Sequence, residues 1–286
     1  MIINGIEVST KLKSSLRTKV DLLKKQGTHP CLATILVGND QASSIYVKNK
    51  HKACYDLGIS TKDNKLDSSI TENELLKKII DLNNDDSVHG ILIQLPLPRH
   101  INQFKVINTI NPLKDVDGLT YYNAGLLFNK KPLFIPCTPL GIIELFKYYN
   151  IELKSKDILI INRSILVGKP LSLLLLDRDA TVTVCHSKTM FLEEKLKVAD
   201  IIITAVGNRN IFTLKEENVK EGVVIIDVGI SRLSGKVVGD TDFESLLPKA
   251  SWITPVPGGV GPMTITMLLN NTVKAATRKS FNLLDI

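Results

Sequence analysis

Short, almost wholly apolar runs recur along this chain, at Cys31 to Val37, Gly90 to Gln94, Asp157 to Ile161, Thr181 to Val184, Ile201 to Val206 and Val223 to Val228. Each gives way to a turn and then to residues of helical period. A strand apolar on both faces must be covered on both, and helices crossing over a parallel sheet do this, so the alternation predicts an α/β fold. Gln41 to Leu57 reads as a helix, and Thr71 with Glu74 forms a capping box that opens another. Thr138 before Pro139 reads as an N-cap with proline at N1, starting a helix that bridges two domains. The later runs form a Rossmann-like series. A length of 286 residues suits two such domains.

Composition narrows the partners. With 44% hydrophobic and 23% charged residues the chain reads as a globular protein. No run approaches the roughly 20 apolar residues that span a bilayer, and residues 1–7 lack the basic and apolar regions of an export signal, so a cytoplasmic protein without a membrane partner is expected. Cys31, Cys54, Cys137 and Cys185 are widely spaced and read as buried thiols, with no metal site expected. The net charge of +7 admits a nucleic-acid-binding protein on an α/β scaffold. The lysines, however, are scattered among acids, and no zinc-finger spacing or aromatic RNA-binding motif joins them, so a solvated surface is the better reading.

Chemistry concentrates in a few segments. Residues 254–264 pack Pro255, Pro257, Gly258, Gly259, Gly261 and Pro262 into a loop before an apolar helix. Proline restricts such a loop, and glycine without Cβ admits a flat ligand or a second backbone at close range. Tyr46 and Lys50, four residues apart, share a helix face. That pair also marks short-chain dehydrogenases, but there it follows the dinucleotide loop, and here it precedes the only candidate. Gln94 ends a strand before Leu95 and Pro96, at the strand end where α/β sheets place ligands. Asp115 and Asp117 lie in an acidic turn, of which Asp117 is the candidate for chemistry.

Gly38 to Asp40 with Ser43 to Tyr46 and Lys50, then Gly90 to Pro98, Lys114 to Gly118, Pro136 to Pro139 and Thr254 to Thr264, resemble in order the motif set of the methylene-tetrahydrofolate dehydrogenase/cyclohydrolase family. The resemblance spans almost the whole chain. It implies two α/β domains with a cleft between them: residues 1–137 with 264–286 binding folate, and a Rossmann-like domain over 138–263 binding NADP. It further implies a homodimer and a bifunctional enzyme of one-carbon metabolism. Methylene-tetrahydrofolate would be oxidised to the methenyl form, then hydrolysed to 10-formyl-tetrahydrofolate.

Hydrolysis needs water to attack an iminium-type carbon and surrender a proton. A lysine serves as base only if desolvation or nearby positive charge, such as the substrate's own cationic ring, lowers its pKa. Lys50 fits that role, with Gln94 orienting it, Tyr46 offering a ring face and a hydroxyl, and Asp117 accepting from the amino-pyrimidine edge. The resemblance assigns these positions similar roles and adds Leu95, Pro257, Gly258 and Gly259 as substrate contacts.

The nucleotide half lacks G-x-G-x-x-G. A strand, a turn at Asn162, Arg163 and Ser164, and a helix containing Gly168 and Pro170 are nevertheless ordered to present backbone N–H groups to a pyrophosphate. The family has glycine where this chain has Asn162, a residue that tolerates left-handed φ. A chain weakened there would be mainly a cyclohydrolase. About 20 residues on, where an NAD enzyme offers an acid to the ribose, this chain has His186, Ser187 and Lys188. Arg163, Ser187 and Lys188 suit a 2′-phosphate, which predicts NADP over NAD. The resemblance places Ile230 near the nicotinamide.

Overall fold

The computed structural model describes residues 1–233 and 235–277, without the side chains of residues 41–43. Residues 278–286 of the expected folate domain lie outside the described residues. The chain divides into two compact units, one of residues 11–135 with the chain from Ile265 onward, the other of residues 1–10 with 136–264.

In the first unit, α1 (Gly5–Lys25) enters from the other unit's residues, and β1 (Cys31–Val37), α2 (Gln41–Leu57), β2 (Ser60–Leu66), α3 (Glu72–Asn83) and β3 (Gly90–Ile93) follow. The strands form a parallel sheet in the order β2-β1-β3. Every residue of β1 and β3 is buried. The polar edge strand β2 carries Lys62, Asp63 and Lys65, which is how a sheet edge avoids pairing with another chain. Thr71 caps α3 in the expected box: its hydroxyl accepts from the Glu74 N–H, and the Glu74 carboxylate accepts from the Thr71 N–H. The buried Leu75, Ile79 and Leu82 of α3 then pack with Ala33, Ile35 and Ile91 of the sheet. Two short helices, α4 (Gln103–Thr109) and α5 (Tyr121–Phe128), complete this part.

The second unit opens with α6 (Cys137–Tyr148) and continues through β4 (Asp157–Ile161), α7 (Gly168–Leu176), β5 (Thr181–Cys185), α8 (Leu192–Val198), β6 (Ile201–Thr204), β7 (Val224–Asp227), β8 (Ser231–Leu233), β9 (Lys236–Val238), α9 (Phe243–Leu246) and β10 (Trp252–Ile253). Five of these strands make a parallel sheet ordered β10-β7-β6-β4-β5. From β4 the chain winds outward first to β5 and then, on the other side, to β6, so the order reverses at the β4/β6 boundary. The last helix, α10 (Val260–Ala276), contains a unit boundary.

One expectation needs correction. The N-cap of α6 is Pro136, and the Thr138 hydroxyl instead meets the Thr264 hydroxyl at 2.9 Å. All of this helix groups with the second unit. The first ten residues also group with the second unit. The chain from Met1 to Ile3 lies along β10, where the terminal ammonium donates to the Ser251 carbonyl at 2.7 Å and Ile3 N–H to the Ile253 carbonyl at 2.8 Å. These bonds continue the sheet by one short segment, a gain that no periodicity in residues 1–4 announces.

Candidate active site

In the first unit the sheet brings two of the expected residues together. Lys50, half-buried on α2, donates from Nζ to Gln94 Oε1 at 3.0 Å. Gln94 follows the last residue of β3, and its N–H still donates to the Ile35 carbonyl of β1 at 2.8 Å. Its side-chain Nε2 donates to the Leu95 carbonyl at 2.9 Å, which leaves Oε1 as the atom facing the lysine. Tyr46 lies one turn before Lys50 and is 38% exposed, so the ring face can meet a ligand. Leu95 offers less than expected from its side chain, which packs against the core of this unit.

The acidic turn separates structural from available groups. Lys114 donates to the carbonyls of Leu82, Asn83 and Asp85 at 2.7–3.2 Å, tying down the end of α3. Asp115 is 1% exposed and accepts from the N–H groups of Leu119 and Thr120 and from Asn123 Nδ2. Burial pushes its carboxyl above the ordinary range. Asp117 is half-buried, two residues past the bridge that pairs Asp115 with Ile91 of β3, and so stands near the strand end that carries Gln94.

A further group beside Lys50 went unread in the sequence. His51 Nε2 lies 2.7 Å from Asp63 Oδ1 and 2.9 Å from the Thr34 hydroxyl, fastening α2 to β1 and β2. Its only sequence signal is a polar residue, Thr34, inside an otherwise apolar run.

In the second unit, Asn162 leaves β4 at the point where the strand order reverses. Its Nδ2 donates to the Ala205 carbonyl beyond β6 at 2.7 Å. Its Oδ1 accepts from the Ser164 N–H at 2.8 Å, the Ser164 hydroxyl at 2.7 Å and the Gly168 N–H at 3.0 Å. Asn162 therefore does not use the left-handed φ expected of it, and it is absent from the positive-φ positions. The N–H groups expected to face a pyrophosphate are also engaged: besides Gly168, Val167 N–H donates to the Ser164 hydroxyl and Lys169 N–H to the Ser164 carbonyl. What the loop presents outward is the exposed Arg163. Because Ile161 pairs with Cys185, Arg163 and the exposed Ser187 and Lys188 leave neighbouring strand ends. His186 shapes that second turn, its Nδ1 accepting from the Lys188 N–H at 3.1 Å. Ile230, 43% exposed, lies beyond β7 and lines a cavity of about 290 Å³ with Gly207, Arg209 and Ser231.

Pro257, Gly258 and Gly259 belong to this second unit, whereas Tyr46, Lys50, Gln94, Leu95 and Asp117 belong to the first. Gly259 serves backbone packing: its carbonyl oxygen lies 1.8 Å from where a Cβ on Gly5 would sit. Gly258 takes φ +111, a value that side chains avoid, and accepts from the Ile6 N–H at 3.2 Å. A Cβ on Gly261 would meet open space.

Comparison with known proteins accounts for both halves. A model of the tetrahydrofolate dehydrogenase/cyclohydrolase catalytic domain matches residues 3–117, and one of that family's NAD(P)-binding domain matches residues 136–280. The chain belongs to the tetrahydrofolate dehydrogenase/cyclohydrolase family. It is 56% identical over 278 residues to the bifunctional protein FolD of Nitrosopumilus maritimus, covering 97% of each chain, and 51% identical over 278 residues to that of Bacillus subtilis, covering 97% of this chain and 98% of the relative. Among solved structures, the FolD dehydrogenase/cyclohydrolase of Campylobacter jejuni superposes with a TM-score of 0.95 at 50% identity, covering 98% of this chain and 99% of that one. The Trypanosoma brucei enzyme, solved with NADP and an inhibitor, gives 0.92 at 34% identity over 97% of each. The chain is thus a bifunctional dehydrogenase/cyclohydrolase with a catalytic domain and an NAD(P)-binding domain.

Proposed function

We propose that this enzyme oxidises 5,10-methylene-tetrahydrofolate with NADP and hydrolyses the 5,10-methenyl product to 10-formyl-tetrahydrofolate, using Lys50 as the base of the hydrolysis. The observation that carries the reading is the 3.0 Å bond between Lys50 Nζ and Gln94 Oε1. A water attacking the methenyl carbon forms a C–O bond and loses its proton to neutral Lys50. The new hydroxyl then gives up its proton as the C=O bond forms and the bond from that carbon to the ring nitrogen N5 breaks, and N5 takes up a proton, leaving the formyl group on N10. Gln94 holds the amine in register, because a base contributes only within hydrogen-bond reach of the proton it removes. Tyr46 supplies a face for the pterin, and Asp117 an acceptor for its amino-pyrimidine edge. Leu95 contributes through its backbone, and Pro257, Gly258 and Gly259 complete the substrate contacts.

When bound, NADP supplies the hydride acceptor. The residues that would hold it are Asn162, Arg163, Ser164, Ser187 and Ile230. Their chemistry fits a phosphorylated ribose, since residues 186–189 at the end of β5 hold no carboxylate and the neighbouring Arg163 is cationic and exposed. An NAD-dependent methylenetetrahydrofolate dehydrogenase of Saccharomyces cerevisiae is 25% identical to this chain, so the choice of cofactor is a property of each member. The reading extends to a cytoplasmic homodimer that supplies one-carbon units to purine, methionine and histidine biosynthesis, on the strength of the family resemblance. The bridging carboxamide of Asn162 favours, as a second reading, a weakened dehydrogenase beside an intact cyclohydrolase.

The test mixes purified enzyme with methylene-tetrahydrofolate and either NADP or NAD, following reduced cofactor and methenyl-tetrahydrofolate together. Fast NADP reduction without methenyl accumulation is expected. Equal or faster reduction of NAD overturns the cofactor assignment, and slow reduction beside fast hydrolysis of supplied methenyl-tetrahydrofolate establishes the second reading.

A further inference from the structure

Two carboxylates lie buried at the end of β7 and just after β9, outside the residues assigned to substrate and cofactor. Asp227, 1% exposed, ends β7, and Asp240, fully buried, follows β9. Asp227 is richly solvated by the protein. It accepts from the N–H groups of Gly229, Asp240 and Thr241 at 2.9–3.0 Å, from the Thr241 hydroxyl at 2.7 Å and from the Thr204 hydroxyl at 3.3 Å. Asp240 has two donors, and both belong to the turn after β6: Val206 N–H at 2.7 Å and Gly207 N–H at 2.9 Å.

The two acids and two glycines interlock. A Cβ on Gly229 would lie 2.1 Å from Asp240 Cγ, and one on Gly239 would lie 2.0 Å from Asp227 Oδ2. Each carboxylate thus occupies the space that a glycine beside the other leaves open. The clasp joins the β6 turn, the β7 end and the segment after β9. It bears on the cavity, because Gly207, at φ +66, approaches the backbone of Ile230, whose oxygen would lie 3.7 Å from a Cβ on Gly207.

We propose that Asp240 is a positioning residue for the nicotinamide cofactor, its carboxylate holding Val206 and Gly207 in the conformation that shapes the cavity wall facing Ile230. The proposal rests on the reading that Ile230 contacts the cofactor. Asp240 acts through two charge-assisted bonds to backbone, which are among the stronger hydrogen bonds a protein makes. The side chain touches neither ligand. Its charge state matters for the same reason. Burial, with the Asp227 charge opposing it further, pushes the Asp240 carboxyl up to about 6, while the two N–H bonds and the Arg209 guanidinium pull it down. Burial raises the Asp227 carboxyl as well, against its more numerous donors, so the two acids titrate as a coupled pair in which Asp240 can take up a proton. Uptake of that proton removes an acceptor from one of the two N–H groups.

The experiment uses the full-length enzyme with Asp240→Asn, Arg209→Gln and Ile230→Ala, measuring KM for NADP, kcat of oxidation, and hydrolysis of supplied methenyl-tetrahydrofolate from pH 5 to 8. Asp240→Asn replaces one acceptor with an N–H donor at unchanged size. It is expected to raise the KM for NADP about tenfold, the loss typical of one buried hydrogen bond left unmade, with unaltered hydrolysis. In the wild type that KM rises as the pH falls through about 6, where the carboxyl takes up its proton, and the rise is absent in Asp240→Asn. Arg209→Gln, which withdraws a cation that favours the charged form, moves the rise to higher pH, and decides the matter if Asp240→Asn does not fold. A KM for NADP unchanged in Asp240→Asn, or a wild-type KM flat from pH 5 to 8, overturns the proposal. An unchanged KM in Ile230→Ala overturns the underlying contact reading instead.

Discussion

Lys50 Nζ and Gln94 Oε1 face each other across 3.0 Å, and the amide cannot reverse without giving up its own bond from Nε2 to the Leu95 carbonyl. The lysine is therefore held against a side-chain amide oxygen whose orientation is fixed by the backbone. Lys50→Ala is expected to lower hydrolysis of methenyl-tetrahydrofolate by about 10²–10⁴-fold, the range of a general base. Gln94→Ala, which spares the base and removes its support, should cost about ten- to a hundredfold. Steady-state hydrolysis checks both, and normal hydrolysis by Lys50→Ala would refute the assigned base.

Cofactor choice should respond to a single charge. Ser187 is exposed at the end of β5, next to the strand that delivers Arg163. Ser187→Asp puts an acid where NAD enzymes hold the ribose and where a 2′-phosphate is repelled. A rise in the KM for NADP of at least about tenfold, with NAD unaffected or improved, is expected; equal effects on both would place the phosphate elsewhere.

Asn162 ties the end of β4 to the carbonyl of Ala205 and gives three donors one acceptor. Asn162→Ala leaves the N–H groups of Ser164 and Gly168 without that acceptor, at a cost of about 1–3 kcal/mol. Thermal melting should fall by roughly 2–4 °C for each kcal/mol lost in a chain of this size, and an unshifted midpoint would show the loop to be held by other contacts.

The buried acids give stability an unusual pH dependence. Asp240 has a folded pKa near 6 against roughly 3.9 unfolded, so the native state holds the extra proton between those values. Stability from this group is fully present below the unfolded value and is lost as the pH rises through the folded one. Relative to Asp240→Asn, the wild type should lose about 2 kcal/mol between about pH 4 and about pH 7, measured by denaturant unfolding. A difference that stays constant with pH would mean that the carboxyl titrates normally.

The sheets were legible because their strands are buried on both faces, so Cys31–Val37 and Asp157–Ile161 stand out as apolar runs. The polar edge strand Ser60–Leu66 has no such signature, whereas α1 does carry one that went unread: Asn4, just before Gly5, accepts through Oδ1 from the N–H groups of Ile6 and Glu7. At the site, Tyr46, Lys50 and Gln94 were readable from helix spacing and a strand end, because local geometry decides them. Asp115 and Asp117 differ only in what surrounds them, and sequence places them two residues apart without saying which is enclosed. Asp227 and Asp240 were missed for a related reason: an acid at the end of an apolar run looks like a turn until its donors, drawn from distant residues, are in view. Asn162 looked like a strained substitute for glycine, and its carboxamide bonds show a side chain at work instead.

The reciprocal seating of Asp227 against Gly239 and of Asp240 against Gly229 restricts how this enzyme can diverge. A methyl group at either glycine collides with a carboxylate. Neither glycine has a neutral step open to it. Descendants of this chain are therefore expected to inherit the quartet whole or replace it together.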